Sequence, residues 1–334
     1  MAVSFFPLLR LPQNNLKDVL LNMGFIEQTC ISMVSKRTKE SIRNLNIFKG
    51  LELCIHISES VSYRVSKNRT VIFIISIGYK GVTVSKGPTY QERFTFTTQK
   101  FNAKSCLNHF LYVINPTKID DLHFSIITGT FDDPKIQMAV ECLKGLRVVN
   151  LNTPILSNTK TLAELVKTFE PTEHLKIHRY PFQTLGFAQL FQLREILPGK
   201  FPILSLNINM PLNGLLLTSS SSVGVNNNRL LTSKDFNIFL KHWIAGLKPE
   251  LECIRILDYR LDWNEHTVLK GIPYEVAPME TKIKFRRKEE LQLGGFDFTM
   301  SSGVKATLHF HYWDRVPITE ISVVLHDSEI ITFL

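Results

Sequence analysis

The first fifty residues carry an apolar stripe with a helical period. Beyond Pro12 the stripe recurs at three- and four-residue spacing, at Leu16, Val19, Leu20 and Met23. Residues at this spacing share one face of an α-helix, and a proline suits the first turn because a helix start leaves its N–H groups unbonded. The pattern predicts a helix from Pro12, then shorter helices near 27–35 and 37–45 with these residues facing inward: Cys30, Ile31, Val34, Ile42 and Leu45.

After residue 50 the apolar period becomes two. Leu53, Ile55 and Ile57 alternate with polar residues and predict a half-buried strand, whereas the continuous apolar run 71–77 predicts a strand buried on both faces. The residues 67–69 between them suit a turn. Short connections without a helical period favour antiparallel pairing over 51–100.

From residue 103 helical stretches alternate with short apolar strands. The helices are predicted at 107–113, 135–144, 162–169, 185–196 and 234–245, and the strands at 122–126, 146–151, 175–177, 204–208 and 253–257. Connections of helical length favour parallel pairing, so this region is predicted to be a stacked helix–strand array. Its repeats follow leucine-rich-repeat spacing loosely, which makes the array a degenerate version of that architecture.

Polar residues interrupt the array at 218–228, a stretch rich in serine, glycine and asparagine. It is predicted to be a mobile loop, and the apolar 215–217 before it to end a buried strand. Ser233 is a natural N-cap for the next helix, in which Phe236, Phe239, Leu240 and Trp243 share one face. Beyond residue 282 the pattern is β again, with a hairpin around 301–303 and a last strand at 321–325.

The first helices also carry a motif, which reads Leu8-Leu9-x-Leu11-Pro12-x-x-x-Leu16-x-x-Val19-Leu20 and then Ser32-Met33-Val34-Ser35-Lys36-Arg37. This motif resembles the F-box over residues 5–48, although Thr38 stands where many F-boxes carry an aromatic residue. The resemblance implies that this face binds the Skp-family adaptor of a cullin-based ubiquitin ligase. The implied adaptor-binding residues are Leu8, Leu9, Leu11, Pro12, Leu16, Val19, Leu20, Val34 and Lys36.

A second motif follows the polar stretch: Phe239-Leu240-Lys241-His242-Trp243-Ile244-x-Gly246-x-x-Pro249-x-Leu251-Glu252-x-Ile254. It resembles the type 2 F-box-associated domain, which accompanies an F-box in a large nematode-type family. The resemblance spans 204–271 within a body of residues 49–334, and it implies a surface that captures a target protein. Trp243 and His242 are the candidate target-binding residues, because tryptophan is enriched at binding hot spots. Trp243 also completes the apolar face of its helix, which favours a core position, and the target-binding hypothesis requires it to be partly exposed.

Composition agrees with an intracellular protein of this size. The 334 residues are 44% apolar, which allows a sizeable core, and the sequence shows no apolar run of about eighteen residues that could cross a membrane. The N-terminus lacks the basic region of a signal peptide. Five scattered cysteines without a C-x-x-C pair predict free thiols in a reducing compartment, the cytoplasm or the nucleus.

Charge and chemical motifs point away from catalysis. The net charge is +9, but the basic residues at 282–288 alternate with apolar ones, so a solvated strand face is favoured over a nucleic-acid site, and neither nucleic acid nor a membrane is a predicted partner. The sequence shows no phosphate-binding loop or hydrolase, metalloprotease or kinase signature. His309 and His311 lack a nearby cysteine or acidic triad, so no metal or other cofactor is predicted.

The predicted fold is therefore α+β, with a three-helix F-box followed by a mixed α/β body that has leucine-rich-repeat-like helix–strand units and antiparallel β segments. The predicted function is substrate recognition: the F-box docks the Skp adaptor, and through it a cullin, while the body holds a target whose identity the sequence does not give. Catalysis would lie in partner proteins. The alternative from another class is an interaction scaffold without a ligase role, in which the helices cap the core. A third interpretation, an enzyme with an unrecognised site, is the least favoured.

Overall fold

The structure, a computed structural model, describes residues 8–78, 81–87, 92–96, 102–125, 132–154, 159–178, 193–226, 230–258, 263–277, 282–285, 288–291, 294–312 and 319–325. The chain divides into two compact units, residues 1–149 and 150–334. No helix of the described ranges has both the length and the apolar character needed to cross a membrane.

Unit 1 begins with a one-turn 3-10 helix (Leu8–Arg10) and three helices, α1 (Gln13–Leu21), α2 (Phe25–Ser32) and α3 (Lys36–Leu45). They precede five strands, β1 (Glu52–Ile57), β2 (Val61–Lys67), β3 (Thr70–Gly78), β4 (Gly81–Lys86) and β5 (Glu92–Phe96). The unit then continues with α4 (Ala103–Ile114), β6 (Lys118–Phe124) and α5 (Pro134–Leu143).

The strands β1 to β5 pair in sequence order, and every pairing is antiparallel, as the alternation predicts. Asn68 and Arg69, both with positive φ, connect β2 to β3 at the predicted turn. Two successive residues with positive φ form the type of tight turn that suits the right-handed twist of a hairpin. The sheet also gains a parallel partner that the pattern of 51–100 does not predict, because β6 lies beside β1.

Unit 2 takes up the chain within β7 (Arg147–Pro154). Its parallel part consists of α6 (Thr159–Phe169), β8 (His174–His178), β9 (Ile203–Asn207), α7 (Leu212–Leu217), β10 (Ser222–Asn226), α8 (Ser233–Ile244) and β11 (Cys253–Asp258). A second 3-10 turn, Leu193–Glu195, precedes β9. The four pairings from β7 to β11 are all parallel, which confirms the predicted helix–strand array.

The rest of unit 2 is antiparallel, as predicted. It comprises α9 (Glu265–Leu269), β12 (Glu275–Val276), β13 (Lys282–Phe285), β14 (Lys288–Leu291), β15 (Phe296–Thr299), β16 (Lys305–Tyr312) and β17 (Thr319–Leu325). The strand order continues from β11 through β17, β16 and β15 to β12, while β13 and β14 form a separate hairpin.

Two predictions within the array are wrong. Residues 215–217 end a helix instead of a strand, because Pro211 starts a turn in which Leu215 N–H donates to the Pro211 carbonyl over 3.1 Å. The stretch predicted as a mobile loop contains β10, buried between β9 and β11, because Val223 and Val225 supply an alternating apolar face. The predicted helix at 185–196 lies mostly outside the described residues.

The predicted inward position of Val34 is also wrong. Helix α2 ends at Ser32, so Val34 does not continue its apolar face, and 66% of Val34 is exposed.

Candidate functional site

The turn before α1 presents apolar residues to solvent. Leu8 and Leu11 are partly exposed and Pro12 is exposed, while the side chain of Leu9 lies outside the described part of the structure. Pro12 stands just before the helix, and its carbonyl accepts a hydrogen bond from Leu16 N–H over 2.9 Å. Pro12, with its restricted φ, therefore fixes the direction in which the chain passes from the apolar turn into α1.

The apolar stripe of α1 faces the opposite way. Leu16 and Leu20 are 1% and 0% exposed, and Ile26 of α2 and Ile42 of α3 are buried with them. The Gln28 side-chain amide donates to the Leu20 carbonyl over 2.7 Å and so ties α1 to α2. These two leucines shape the helical unit from within, whereas Val19 on the same helix remains partly exposed.

The two halves of the first motif meet through a single side chain. Ser35 caps α3 in a reciprocal capping box with Thr38, which sets the start of that helix. From its first turn the Arg37 guanidinium donates to the Leu11 carbonyl over 2.9 Å. This bond places the apolar turn beside the exposed residues that flank Ser35, namely Val34 and Lys36. We call the resulting surface the outer helical face: Leu8, Leu11, Pro12, Val34 and Lys36.

The inner side of α3 is anchored to α4. The Tyr112 hydroxyl donates to the Glu40 carboxylate over 2.6 to 2.7 Å, and Arg43 and Lys39 lie over the Tyr112 ring at 3.9 and 4.2 Å. Arg43 also donates to the Asn115 side chain over 3.2 Å. Lys39 and Arg43 are thus held against an aromatic ring of α4, and this contact does not involve the residues of the outer helical face.

A histidine of α4 and a cluster of aromatic rings join the helices to the rest of unit 1. Ser32 Oγ and His109 Nε2 lie 3.0 Å apart, and burial together with nearby Lys39 lowers the pKa of His109 to about 4. The imidazole is therefore neutral at physiological pH. Phe25 and Phe48 pack on Phe73 of β3 with centroid distances of 6.4 and 6.0 Å. The helices are docked on the sheet of their own unit, as a capping element would be, and still present an outward face.

The candidate target-binding residues separate in the structure. Trp243 is only 1% exposed, and its indole N–H donates to the Leu251 carbonyl over 3.1 Å. The favoured core position is therefore confirmed, and the hypothesis of a partly exposed Trp243 is wrong. Its ring packs near Phe239 on the apolar face of α8, which the chain itself covers. His242, one residue earlier, is partly exposed at the last turn of the helix.

Sequence reasoning missed a depression beside that last turn. Its volume is about 280 Å³, and its lining residues come from α8, from the segment after α9 and from the end of β15: Lys241, Ile244, Ala245, Gly271, Ile272, Pro273, Thr299, Met300 and Ser301. Lys241 and Ile244 were visible in the second motif, whereas residues 271–273 and 299–301 are brought beside this helix by long-range contacts. One of these contacts is the hydrogen bond that Ser301 N–H donates to the Ile244 carbonyl over 2.8 Å. Nearby in the chain, the Lys248 amine is buried and donates to the Thr218 carbonyl, and burial lowers its pKa.

The thiols and possible metal ligands show no reactive centre among the described residues. All five cysteines are free, and burial raises the pKa of Cys30, Cys54 and Cys106 to about 11. Such thiols are protonated at neutral pH and are poor nucleophiles. No group of three or more histidine, cysteine or acidic side chains in the described ranges is arranged to hold a metal ion.

Comparison with known proteins places both motifs. The F-box domain model matches residues 8–50, which include the whole outer helical face, and a model described as F-box associated matches residues 192–256, from the turn before β9 into β11. The chain carries an F-box and an F-box-associated domain.

A curated relative is similar to this chain over most of its length. The chain is 25% identical over 323 residues to the F-box associated domain-containing protein sdz-33 of Caenorhabditis elegans, covering 94% of this chain and 96% of that protein. No solved structure matches the chain. The F-box lies in unit 1 and the F-box-associated match in unit 2.

Proposed function

We propose that this F-box protein is the substrate-recognition subunit of a Skp–cullin–F-box ubiquitin ligase. The F-box docks a Skp-family adaptor, and the body binds a target protein for ubiquitination. The chain acts by placement and leaves the transfer chemistry to its partners. The observation that carries the proposal is the hydrogen bond from Arg37 to the Leu11 carbonyl, which assembles the separated parts of the F-box motif into one exposed surface.

The outer helical face has the composition of a small protein-binding surface. Leu11, Pro12 and Val34 supply apolar area, and Lys36 supplies a charge at the edge. Burying apolar area against a partner contributes about 25 cal/mol per Å² before the costs of association. Leu8 of the same face adds further apolar area, and Leu9 and Val19 are proposed to extend the contact beyond it. Leu16 and Leu20 take part by holding the shape of α1 from within, because they are already buried in the free chain.

The free cysteines support a reducing compartment, and we place the protein in the cytoplasm or the nucleus.

The decisive test is adaptor binding by the double variant Leu11→Ala, Pro12→Ala. We expect a loss of about 2 kcal/mol or more, which is roughly 30-fold in Kd, because both residues would be covered by the adaptor. The matched control is Leu247→Ala, Pro249→Ala, which removes another exposed leucine and proline from unit 2. Titration calorimetry with purified adaptor gives the Kd, and circular dichroism verifies that both variants fold.

Unchanged affinity in the first variant would contradict the proposal. A wild-type chain that binds no Skp-family adaptor would contradict it as well. That result would favour the stand-alone interaction scaffold, in which the helices serve as a cap.

A further inference from the structure

The depression beside α8 has an apolar floor and a polar rim. Ile272 and Met300 are buried at its floor, while Lys241, Thr299 and Ser301 are exposed around it. Among the residues that the structure describes, no acidic side chain forms an ion pair with Lys241. The volume of about 280 Å³ is below the roughly 300–1,000 Å³ of small-molecule sites, so the depression suits a side chain better than a cofactor.

The chain leaves this depression at Pro273 and forms β12, the terminal strand of its sheet. Val276 of β12 is opposite Phe296 of β15, and the next residue, Ala277, donates its N–H to the Gly295 carbonyl over 2.9 Å. In an antiparallel ladder the backbone groups of alternate residues point to opposite sides. Because those of Ala277 face β15, the N–H and C=O groups of Tyr274 and Val276 face the opposite edge of β12, which pairs with no other strand in the described part of the chain.

The same two residues expose apolar surface at this edge. Val276 is 75% exposed and Tyr274 is 47% exposed, with its ring 5.2 Å from that of Phe296 in a T-shaped arrangement. Unpaired strand edges with apolar side chains are usually protected in proteins, because they invite another strand to pair with them. Among the residues that the structure describes, no strand covers this edge, and Pro273 joins it to the depression. Such an edge is suited to a peptide in extended conformation.

We propose that an extended segment of the target protein pairs with β12, inserts an apolar side chain into the depression and places an acidic residue beside Lys241. The backbone groups of Tyr274 and Val276 supply the pairing, and the depression supplies the selectivity. The positive charge of Lys241 and of nearby exposed Lys270 favours an acidic neighbour over a basic one. This inference rests on the proposed function and names the class of target that it recognises.

The test begins with a displayed random-peptide library selected against the full chain. We expect enriched peptides to contain a large aliphatic residue within two positions of an aspartate or glutamate. A labelled representative is then N-methylated one amide at a time, and its Kd is measured by fluorescence anisotropy. Methylation at every second amide near the aliphatic residue should weaken binding at least tenfold, because those amides pair with β12, whereas the intervening amides should tolerate it.

Two pairs of protein variants locate the site. Val276→Pro deletes the outward N–H and should weaken the peptide at least tenfold, whereas Val276→Thr keeps the N–H and the branched side chain and should bind normally. Lys241→Glu should weaken it by a similar factor, whereas Lys234→Glu, an exposed lysine at the other end of α8, should not. Thermal melts verify that each variant is folded. The N-methylated peptides are measured on the wild-type protein, so that result does not depend on the folding of any variant.

The proposal is overturned if no peptide is enriched, if N-methylation has no alternating effect, or if Val276→Pro and Lys241→Glu, both folded, bind the selected peptide as the wild type does. Adaptor affinity is measured on the same preparations. A protein that binds the adaptor but no edge peptide refutes this inference alone, whereas one that binds the peptide but no adaptor refutes the ligase role.

Discussion

At the scale of single residues, apolar periodicity in the sequence predicts which positions are buried. It does not predict whether the chain itself or a partner protein buries them. Leu16 and Leu20 satisfy the helical period, and the chain itself buries them. Leu11 and Val34 belong to the same motif, yet they remain accessible because a proline and a helix end turn them outward. Trp243 shows the same ambiguity, since a hot-spot residue type also completes a core face. Only the three-dimensional contacts distinguish these cases.

A pH-dependent stability follows from buried His109. Its pKa of about 4 in the folded chain lies below the value near 6.5 expected in the unfolded chain. Between these values the unfolded state binds more protons, so the free energy of unfolding should fall as the pH falls from about 6.5 to about 4. His174, whose pKa burial also lowers to about 4, acts in the same direction.

The contribution of His109 is measurable with His109→Gln, which does not titrate and can still hydrogen-bond Ser32. Urea unfolding at pH 7 and pH 4.5 should show a smaller acid-induced loss of stability in this variant, by on the order of 1 to 2 kcal/mol. His266→Gln, at an exposed position on α9, is the matched control. An identical acid-induced loss in wild type and His109→Gln would show that this histidine is not the source.

At the scale of elements, the sequence predicts those with a strong period and fails where short polar residues are buried. The antiparallel strands of 51–96 and the parallel array follow from periods of 2 and 3.6 and from connection lengths. The sequence does not predict strand β10, because serine and glycine are typical of loops. In the structure these small residues fit in a strand between β9 and β11. Pairing also brings together the depression beside α8, whose lining residues are up to 60 positions apart in the chain.

Helix α8 depends on a cap at Thr232, one residue before the predicted Ser233. The Thr232 hydroxyl accepts from Asp235 N–H over 3.2 Å, while the Asp235 carboxylate accepts from Thr232 N–H over 3.0 Å. Thr232→Ala removes half of this reciprocal pair and should destabilise the protein by about 1 kcal/mol in urea unfolding. Thr232→Ser retains the hydroxyl and should lose less than half of that amount. Equal losses in the two variants would indicate that the threonine methyl group, not the cap, matters.

At the scale of the whole molecule, the F-box is part of a larger folded unit. Its helices are tied to α4 through the pairs Ser32–His109 and Glu40–Tyr112, and to β3 through Phe25 and Phe73. A segment of about fifty residues buries little core alone, so these contacts contribute to its stability. The motif in the sequence locates the F-box but cannot reveal this dependence, because His109 and Tyr112 stand about sixty residues beyond it and carry no F-box signature.

This dependence predicts different behaviour for two N-terminal fragments. Residues 1–149, which contain unit 1, should unfold in one cooperative transition and bind the adaptor within about threefold of the full chain, since the whole outer helical face and its support are present. Residues 1–50 lack α4 and β3, so in the absence of adaptor they should show no cooperative thermal transition by circular dichroism. Adaptor could still fold the short fragment by mass action, so both melts are recorded without it. A cooperative transition in 1–50 at the same midpoint as in 1–149 would mean that the F-box folds independently and that the contacts with α4 and β3 add nothing to its stability.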